Sequence, residues 1–363
     1  MSERRRKPVR TLLSLVLSLA LGALSLSLVA CGSGPGAPAG SSASAGGASA
    51  ASGISASARS ASGSAPAVVR VASLKGPTSI GLVQFVSEAR AQSPELQNSY
   101  DFSIVGTADE ILPALVAGDL DIALLPANVA SVLYNRTEGG IQALNINTLG
   151  VLYVVTADDT IHSLKDLSGR TVLMTGKGTT PEYVMSALLA AQNVADVTLE
   201  YKSEATELAA ALAADPAAIA VLPQPYVAAV TAKNPDLKIR VSLSDEWDSS
   251  FSDGSRLVTG VTVVRADFAR EHPGVVEEFC ARQRASVDAV NASPATAAPL
   301  VVEAGIISSE AIAVQAIPFC SLVSIDGDEM KTALNGYLTT LFAQDPAAIG
   351  GALPAADFFY RVP

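Results

Sequence analysis

The sequence predicts an α/β protein of two similarly built lobes joined by two crossings of the chain, and three observations carry that expectation. From Val68 onward, short apolar runs alternate with amphipathic ones through short turns, the pattern of a parallel sheet with covered faces. A two-part device then occurs twice: Lys75-Gly76-Pro77-Thr78 followed by Ala123-Leu-Leu-Pro126-Ala-Asn128, and Lys177-Gly178-Thr179-Thr180 followed by Ala220-Val-Leu-Pro223-Gln224-Pro225-Tyr226. Finally, Leu257–Val264 is a strong β run before a long helical tail, which reads as a return to the first lobe because the tail would otherwise double the second.

Taken in order, the first series reads as strand Val68–Ala72, helix Ser79–Ala91, strand Tyr100–Val105, helix Ala108–Ala117 stopped at Gly118, strand Asp121–Leu125 and helix Val129–Asn135. The apolar run Leu149–Val155 leads into a second series: Thr171–Met174, Glu182–Ala191, Val197–Tyr201, Glu204–Ala214, Ala218–Leu222 and Tyr226–Ala232, alternating strand and helix as before. Beyond Leu257–Val264, Pro273–Ala289 and Glu310–Ile317 read as helices. Lobe I is therefore expected over 68–155 and 257–363, lobe II over 156–256, with crossings near 150–156 and 256–260.

The front of the chain is of a different kind. Arg4, Arg5, Arg6, Lys7 and Arg10 precede an apolar run, Thr11–Ala30, which has the form of an export signal. It ends in Leu28-Val29-Ala30-Cys31-Gly32, which resembles the bacterial lipobox. That implies cleavage before Cys31 and diacylation of its thiol with palmitate-type chains; a plain secretory peptide or an uncleaved membrane anchor is the alternative. Residues 32–66 are almost wholly Gly, Ser, Ala and Pro and bury too little apolar surface to fold, so they read as a flexible tether. Beyond Cys31 no apolar stretch is long enough to span a bilayer. The formal charge of −11 argues against nucleic acid, which requires a basic face. Cys280 and Cys320 remain as a candidate pair, a disulfide or two buried free thiols.

In an open parallel sheet ligands bind beyond the carboxyl ends of the strands, where both halves of the repeated device should fall. Gly76, Gly176 and Gly178 would admit close backbone approach, and Thr78, Thr179 and Thr180 place hydroxyls at helix starts. Lys75 and Lys177 offer positive charge, Pro77, Pro126, Pro223 and Pro225 stiffen the loops, and Asn128 and Gln224 can both donate and accept. Tyr226 and Trp247 are candidates for stacking or for plain packing. Such a lining suits a small polar or anionic organic molecule. Enzyme signatures are missing: Gly176-Lys177-Gly178-Thr179 lacks the spacing of a phosphate-binding loop, and no Gly-x-Ser-x-Gly elbow is present. His162 and His272, the only histidines, have no Cys or His neighbours at metal spacing, so neither metal nor cofactor is expected.

Ser163-Leu-Lys-Asp-Leu-Ser-Gly-Arg-Thr-Val172 just before Gly176-Lys-Gly-Thr-Thr-Pro181, with Gly118-Asp119 leading into Asp121-Ile-Ala123, resembles the substrate-binding proteins of ABC importers. The chain is most similar to the branch that binds nitrate, sulfonates, taurine and thiamine-precursor pyrimidines, over roughly residues 68–345. The resemblance implies a type II periplasmic-binding fold and ligand loops at Lys75–Thr78, Pro126–Asn128, Gly176–Thr180 and Pro223–Tyr226. It further implies a monomer without enzymatic turnover, held outside the cytoplasm by lipid on Cys31, that delivers its ligand to a permease and ATPase. The chain departs from the branch in lacking a recognisable nitrate or sulfonate contact set. An enzyme of cofactor-precursor metabolism on the same fold, or a surface nutrient sensor, is the alternative.

Overall fold

A computed structural model describes residues 68–361, so the export signal, Cys31 and the tether lie outside the described residues. The chain runs through β1 (Val68–Leu74), α1 (Pro77–Ile80), α2 (Val83–Arg90), β2 (Ser99–Val105), α3 (Ala108–Ala117), β3 (Ile122–Pro126), α4 (Ala127–Arg136) and β4 (Ile141–Leu149). It continues through β5 (Leu152–Thr156), β6 (Thr171–Met174), α5 (Thr180–Ala191), β7 (Thr198–Tyr201), α6 (Ala205–Ala214), β8 (Ile219–Pro223), α7 (Tyr226–Lys233), β9 (Lys238–Ser242) and α8 (Leu243–Ser250). Last come β10 (Val258–Arg265), α9 (Ala266–Glu271), α10 (Pro273–Ala292), α11 (Pro294–Glu303), α12 (Glu310–Ala316), β11 (Leu322–Ile325) and α13 (Gly327–Gln344).

Two sheets result, ordered β11-β4-β10-β3-β1-β2 and β7-β6-β8-β5-β9. Each contains three parallel strands, β2-β1-β3 and β7-β6-β8, flanked by an antiparallel strand that enters from a crossing, β10 in the first and β5 in the second. The repeated plan expected from the sequence is thus present strand for strand. One boundary differs: a break after residue 155 would cut β5, yet Leu152–Val155 pair with Ala220–Pro223 of the second sheet. The first crossing is therefore the Gly150-Val151 step. At Gly150 a Cβ would lie 2.2 Å from Ser244 Oγ and 2.6 Å from Leu257 Cδ2, so only glycine lets the two crossings lie side by side.

Several elements escape sequence reading. The expected helix Ser79–Ala91 is interrupted at Gly81-Leu82, where the backbone passes close enough to α10 that a Cβ on Gly81 would lie 3.0 Å from Val287 Cγ2. β4 carries Asn145, Asn147 and Thr148 at fully buried positions, so its polar composition hides a central strand. α13, whose face Met330, Ala333, Leu334, Tyr337, Leu338 and Leu341 is buried, contacts α4, α5, β4 and β10 and so packs on both lobes.

Local signals are honoured where they are strong. Thr107 and Glu110 form a capping box on α3, and Gly118 closes it in the left-handed region at φ 83°. Ser163-Leu-Lys-Asp-Leu167 has the same logic: the Asp166 carboxylate accepts from the His162 and Ser163 N–H groups at 2.9 and 2.8 Å, so the phrase is a capped turn leading into β6. Asp121 ties the start of β3 to its neighbours, accepting from Arg70 Nε and N at 3.0 and 2.9 Å and from Arg265 at 3.3 Å. Burial favours the neutral acid, but the Arg70 bonds outweigh it and hold the Asp121 carboxyl below its ordinary range. Because the folded-state pKa is depressed, the stabilisation is present above the unfolded value and fades as pH falls through the folded one. Asp121→Asn should cost about 1–3 kcal/mol at pH 7, the lower end reflecting the solvent access of both arginines. In urea melts the gap to the parent chain should shrink below about pH 4.

Cys280 and Cys320 are free thiols in different apolar clusters, the second of the two alternatives the sequence left open. Cys280 sits beside the Phe85, Tyr100 and Phe279 cluster, whereas Cys320 packs with Ile317 and Leu322 and points its Sγ at Ala316 O, 3.2 Å away. Burial pushes both thiols up to about 12.

Candidate functional site

The two helix starts of the repeated device are built differently in detail. After β1, Gly76 takes φ 135° and is the N-cap of α1, a conformation that a side chain would strain. Thr78 lies inside the first turn and is not the cap; its hydroxyl donates to Leu74 O at 2.9 Å, and Ser79 reaches the Ser73 hydroxyl at 2.8 Å. After β6, Gly176 and Gly178 take φ 82° and 70°, and Thr179 is the N-cap of α5 by position but donates its hydroxyl back to Gly176 O at 2.7 Å. Neither helix start has a side-chain cap; Pro77 and Pro181 carry no N–H and Ser79 and Ile80 bond Gly76 O, so the first-turn N–H groups left to an acceptor are those of Thr78 in α1 and of Thr180 and Glu182 in α5.

Around Thr78 the first sheet supplies a buried polar floor that the sequence did not reveal. A Cβ on Gly260 of β10 would lie 2.5 Å from Thr78 Cγ2 and 2.6 Å from Asn147 Oδ1, so these two side chains flank bare backbone. Thr148 donates to Asn147 Oδ1 at 2.8 Å, Asn147 and Gln283 donate to Thr262 Oγ1 at 3.1 and 2.8 Å, and Asn145 donates to Gln283 Oε1 at 2.8 Å. Pro126 pairs with Gly260 across the ladder, which brings the Pro126–Asn128 loop to the same place. The one available signal was the alternation Asn145-Ile-Asn147 in an otherwise apolar run; which strands flank it is a tertiary matter.

On the opposite lobe the Gly176–Thr180 loop faces α13 and the turn after it. Tyr183 donates its single O–H to Asp345 Oδ2 at 2.8 Å with Gly178 O 3.0 Å away, while Asn128 donates to Ala348 O at 3.3 Å, so side chains of α5 and α4, one from each lobe, hold the 345–349 turn. Thr180 lies beside the buried phenol of Tyr337, whose pKa is raised by burial with the Thr180 hydroxyl opposing. The N–H of Gly178 is taken by the Glu182 carboxylate. That bond, followed by the Tyr201 hydroxyl, holds Glu182 below the ordinary glutamate range against a smaller desolvation effect, with Lys177 adding to it. Lys177 itself stands over the Tyr201 ring, 5.7 Å from its centroid.

The remaining expected residues separate. Lys75 and Tyr226 are exposed, and Gln224 is 2% exposed in the groove between α7 and α12. Trp247 is core: it contacts Phe251 and Tyr337 at 4.4 and 5.6 Å between ring centroids and donates its indole N–H to Ser255 at 3.1 Å. Among the described residues no group of three or more His, Cys, Asp or Glu side chains is placed to hold a metal, and no helix is long and apolar enough to cross a membrane.

Residues 93–246 match the model of the phosphonate ABC-transporter periplasmic substrate-binding protein family. The matched stretch contains the Ser163–Val172 phrase on which the resemblance was read, and the fold is that of the periplasmic binding proteins. Among solved structures, an ABC transporter protein from Parabacteroides distasonis is similar at 24% identity and TM-score 0.69, covering 81% of this chain and 99% of its own. The periplasmic aliphatic sulphonate binding protein SsuA of Escherichia coli is similar at 12% identity and TM-score 0.64, covering 82% and 93% respectively. The alkanesulfonate-binding protein SsuA of Xanthomonas axonopodis pv. citri, bound to MOPS, is similar at 15% identity and TM-score 0.55, covering 80% and 96%. At these identities the likeness is one of fold. No curated protein matches the chain in sequence.

Proposed function

We propose that this chain is the lipid-anchored, extracytoplasmic receptor of an ABC importer, closing its lobes on a small organic oxyanion of the phosphonate or sulfonate kind. The observation that carries the reading is the pair of uncapped helix starts, α1 and α5, one on each side of the crossings in lobes of the same strand order. The N-terminus of the twelve-residue α5 offers N–H groups and a positive dipole end, and the single turn of α1 adds the Thr78 N–H, the ordinary means of holding a phosphonate or sulfonate head. On lobe I the Asn147 amide has a second N–H beyond the one given to Thr262, a further donor for an oxyanion, while the Thr78, Thr148 and Thr179 hydroxyl protons are already donated to Leu74 O, Asn147 Oδ1 and Gly176 O. Closure needs only higher affinity for the closed arrangement, and no bond is made or broken. Anchoring through Cys31 and handover to a permease and ATPase complete the reading.

Trp247, the single tryptophan, lies against Tyr337 of α13 and reports on packing between the lobes. Titration with methylphosphonate, ethanesulfonate and nitrate should give a saturable change in its emission for at least one organic oxyanion. Native mass spectrometry should show one retained ligand of that class. Glu182→Gln removes a carboxylate from the first turn of α5 and should strengthen oxyanion binding by about two- to fivefold. No saturable response to either organic anion, or weaker binding in Glu182→Gln, would sink the reading.

A further inference from the structure

The segments assigned to the oxyanion cleft carry no net charge. Residues 75–80, 126–128, 145–148, 176–183, 260–262 and 345–349 hold two cations, Lys75 and Lys177, and two anions, Glu182 and Asp345. Lys75 is exposed, and Lys177 stands over the Tyr201 ring, 5.7 Å from its centroid. The Glu182 carboxylate instead folds back onto the Gly178 N–H, two residues and so at most about 7 Å of chain before Thr180. The N–H of Glu182 itself is one of the two left open in α5. An oxyanion on the Thr180 and Glu182 N–H groups therefore stands beside that carboxylate, inside the screening length of about 8–10 Å. Asp345, held by Tyr183, is a second anion at the same loop. The floor on the first lobe is neutral: Asn147 is 3% exposed, with one amide N–H given to Thr262 and the other free for a ligand.

The charge number of the ligand decides what such a lining takes. Stripping water from an anion costs in proportion to the square of its charge, whereas neutral N–H and amide donors return a gain only in proportion to the charge. Repulsion from Glu182 grows with the charge as well. A second negative charge thus adds more cost than gain unless a cation meets it, and of the two lysines one is in solvent and the other is engaged with Tyr201. We propose that the cleft selects singly charged oxyanions, sulfonates and phosphonate monoesters, against doubly charged phosphonates, with Glu182 as the specificity-determining residue. This rests on the importer reading and narrows its ligand class.

Ethanesulfonate and ethylphosphonate have nearly the same shape and differ by one charge in alkaline buffer. Calorimetric titration there should show ethanesulfonate bound at least about tenfold more tightly. In mildly acidic buffer ethylphosphonate carries one charge, so its affinity should rise toward that of ethanesulfonate, which should not change. The protein side stays constant: the Gly178 and Tyr201 bonds hold Glu182 below the ordinary glutamate range and so ionised. Tyr183 is raised by its bond to Asp345 and Tyr201 by burial, so both stay protonated. Because Coulomb energy is linear in charge, Glu182→Gln should raise ethylphosphonate affinity in alkaline buffer by the square of its gain for ethanesulfonate, about four- to twenty-fivefold against about two- to fivefold. Glu182→Asp, which keeps the charge, should keep the preference. Equal gains for the two anions in Glu182→Gln, or ethylphosphonate bound as tightly as ethanesulfonate in alkaline buffer, would overturn the charge preference and leave the importer reading standing. Binding of neither anion would remove both.

Discussion

Gly260→Val is expected to weaken oxyanion binding roughly tenfold to more than hundredfold while the chain still folds. The added Cβ alone would stand 2.5 Å from Thr78 Cγ2 and 2.6 Å from Asn147 Oδ1, and both neighbours are buried, so one of them must move. Moving Thr78 disturbs the first turn of α1; moving Asn147 breaks its bonds with Thr148 and Thr262. Overpacking of this kind costs about 1–3 kcal/mol of stability, within what a domain of this size can bear. Losing a hydrogen bond to a charged group costs about 1.5–3 kcal/mol of binding, or roughly tenfold to more than hundredfold in affinity. Calorimetric titration with the oxyanion that the parent chain retains measures the second effect, and a urea melt the first. Parent-like affinity in a folded variant would remove the Thr78–Asn147 floor from the site.

The second large effect is on stability. Trp247→Ala should destabilise by about 3–5 kcal/mol, since the side chain is wholly buried between Phe251 and Tyr337 and its truncation leaves a cavity as well as an unpaired Ser255 hydroxyl. Trp247→Phe should recover much of that loss but not the bond to Ser255. Since Trp247 belongs to α8 and Tyr337 to α13, the truncation also weakens packing between the lobes, and urea unfolding should broaden as well as shift. A loss under about 1 kcal/mol would show that α13 collapses into the space.

Much of the architecture is legible from local chemistry. Thr107 with Glu110, Gly118 after α3, and Pro181 at the start of α5 mark element ends through bonds made within a few residues. The repeated Lys-Gly-x-Thr and Leu-Pro pieces announce two lobes of one plan, because the same turn must follow a strand and open a helix in each. The site was legible only as loops. Thr78 and Thr179 stand at helix starts as read, but their hydroxyls are donated backward to Leu74 O and Gly176 O, and Lys177 is drawn to Tyr201 and Glu182 by contacts that no spacing reveals.

The sequence by itself determined the alternation of strands and helices, the duplicated plan and the return of the chain through Leu257–Val264, because periodicity and capping are local and cooperate with the fold. Tertiary structure alone decided that β5 belongs to the second sheet, that Asn145, Asn147 and Thr148 lie in a buried strand, that α13 ties the lobes together, and that Cys280 and Cys320 stay apart. Each of those outcomes depends on which surfaces meet across long stretches of chain, and burial of a polar strand or a thiol is settled by neighbours that arrive from elsewhere in the sequence.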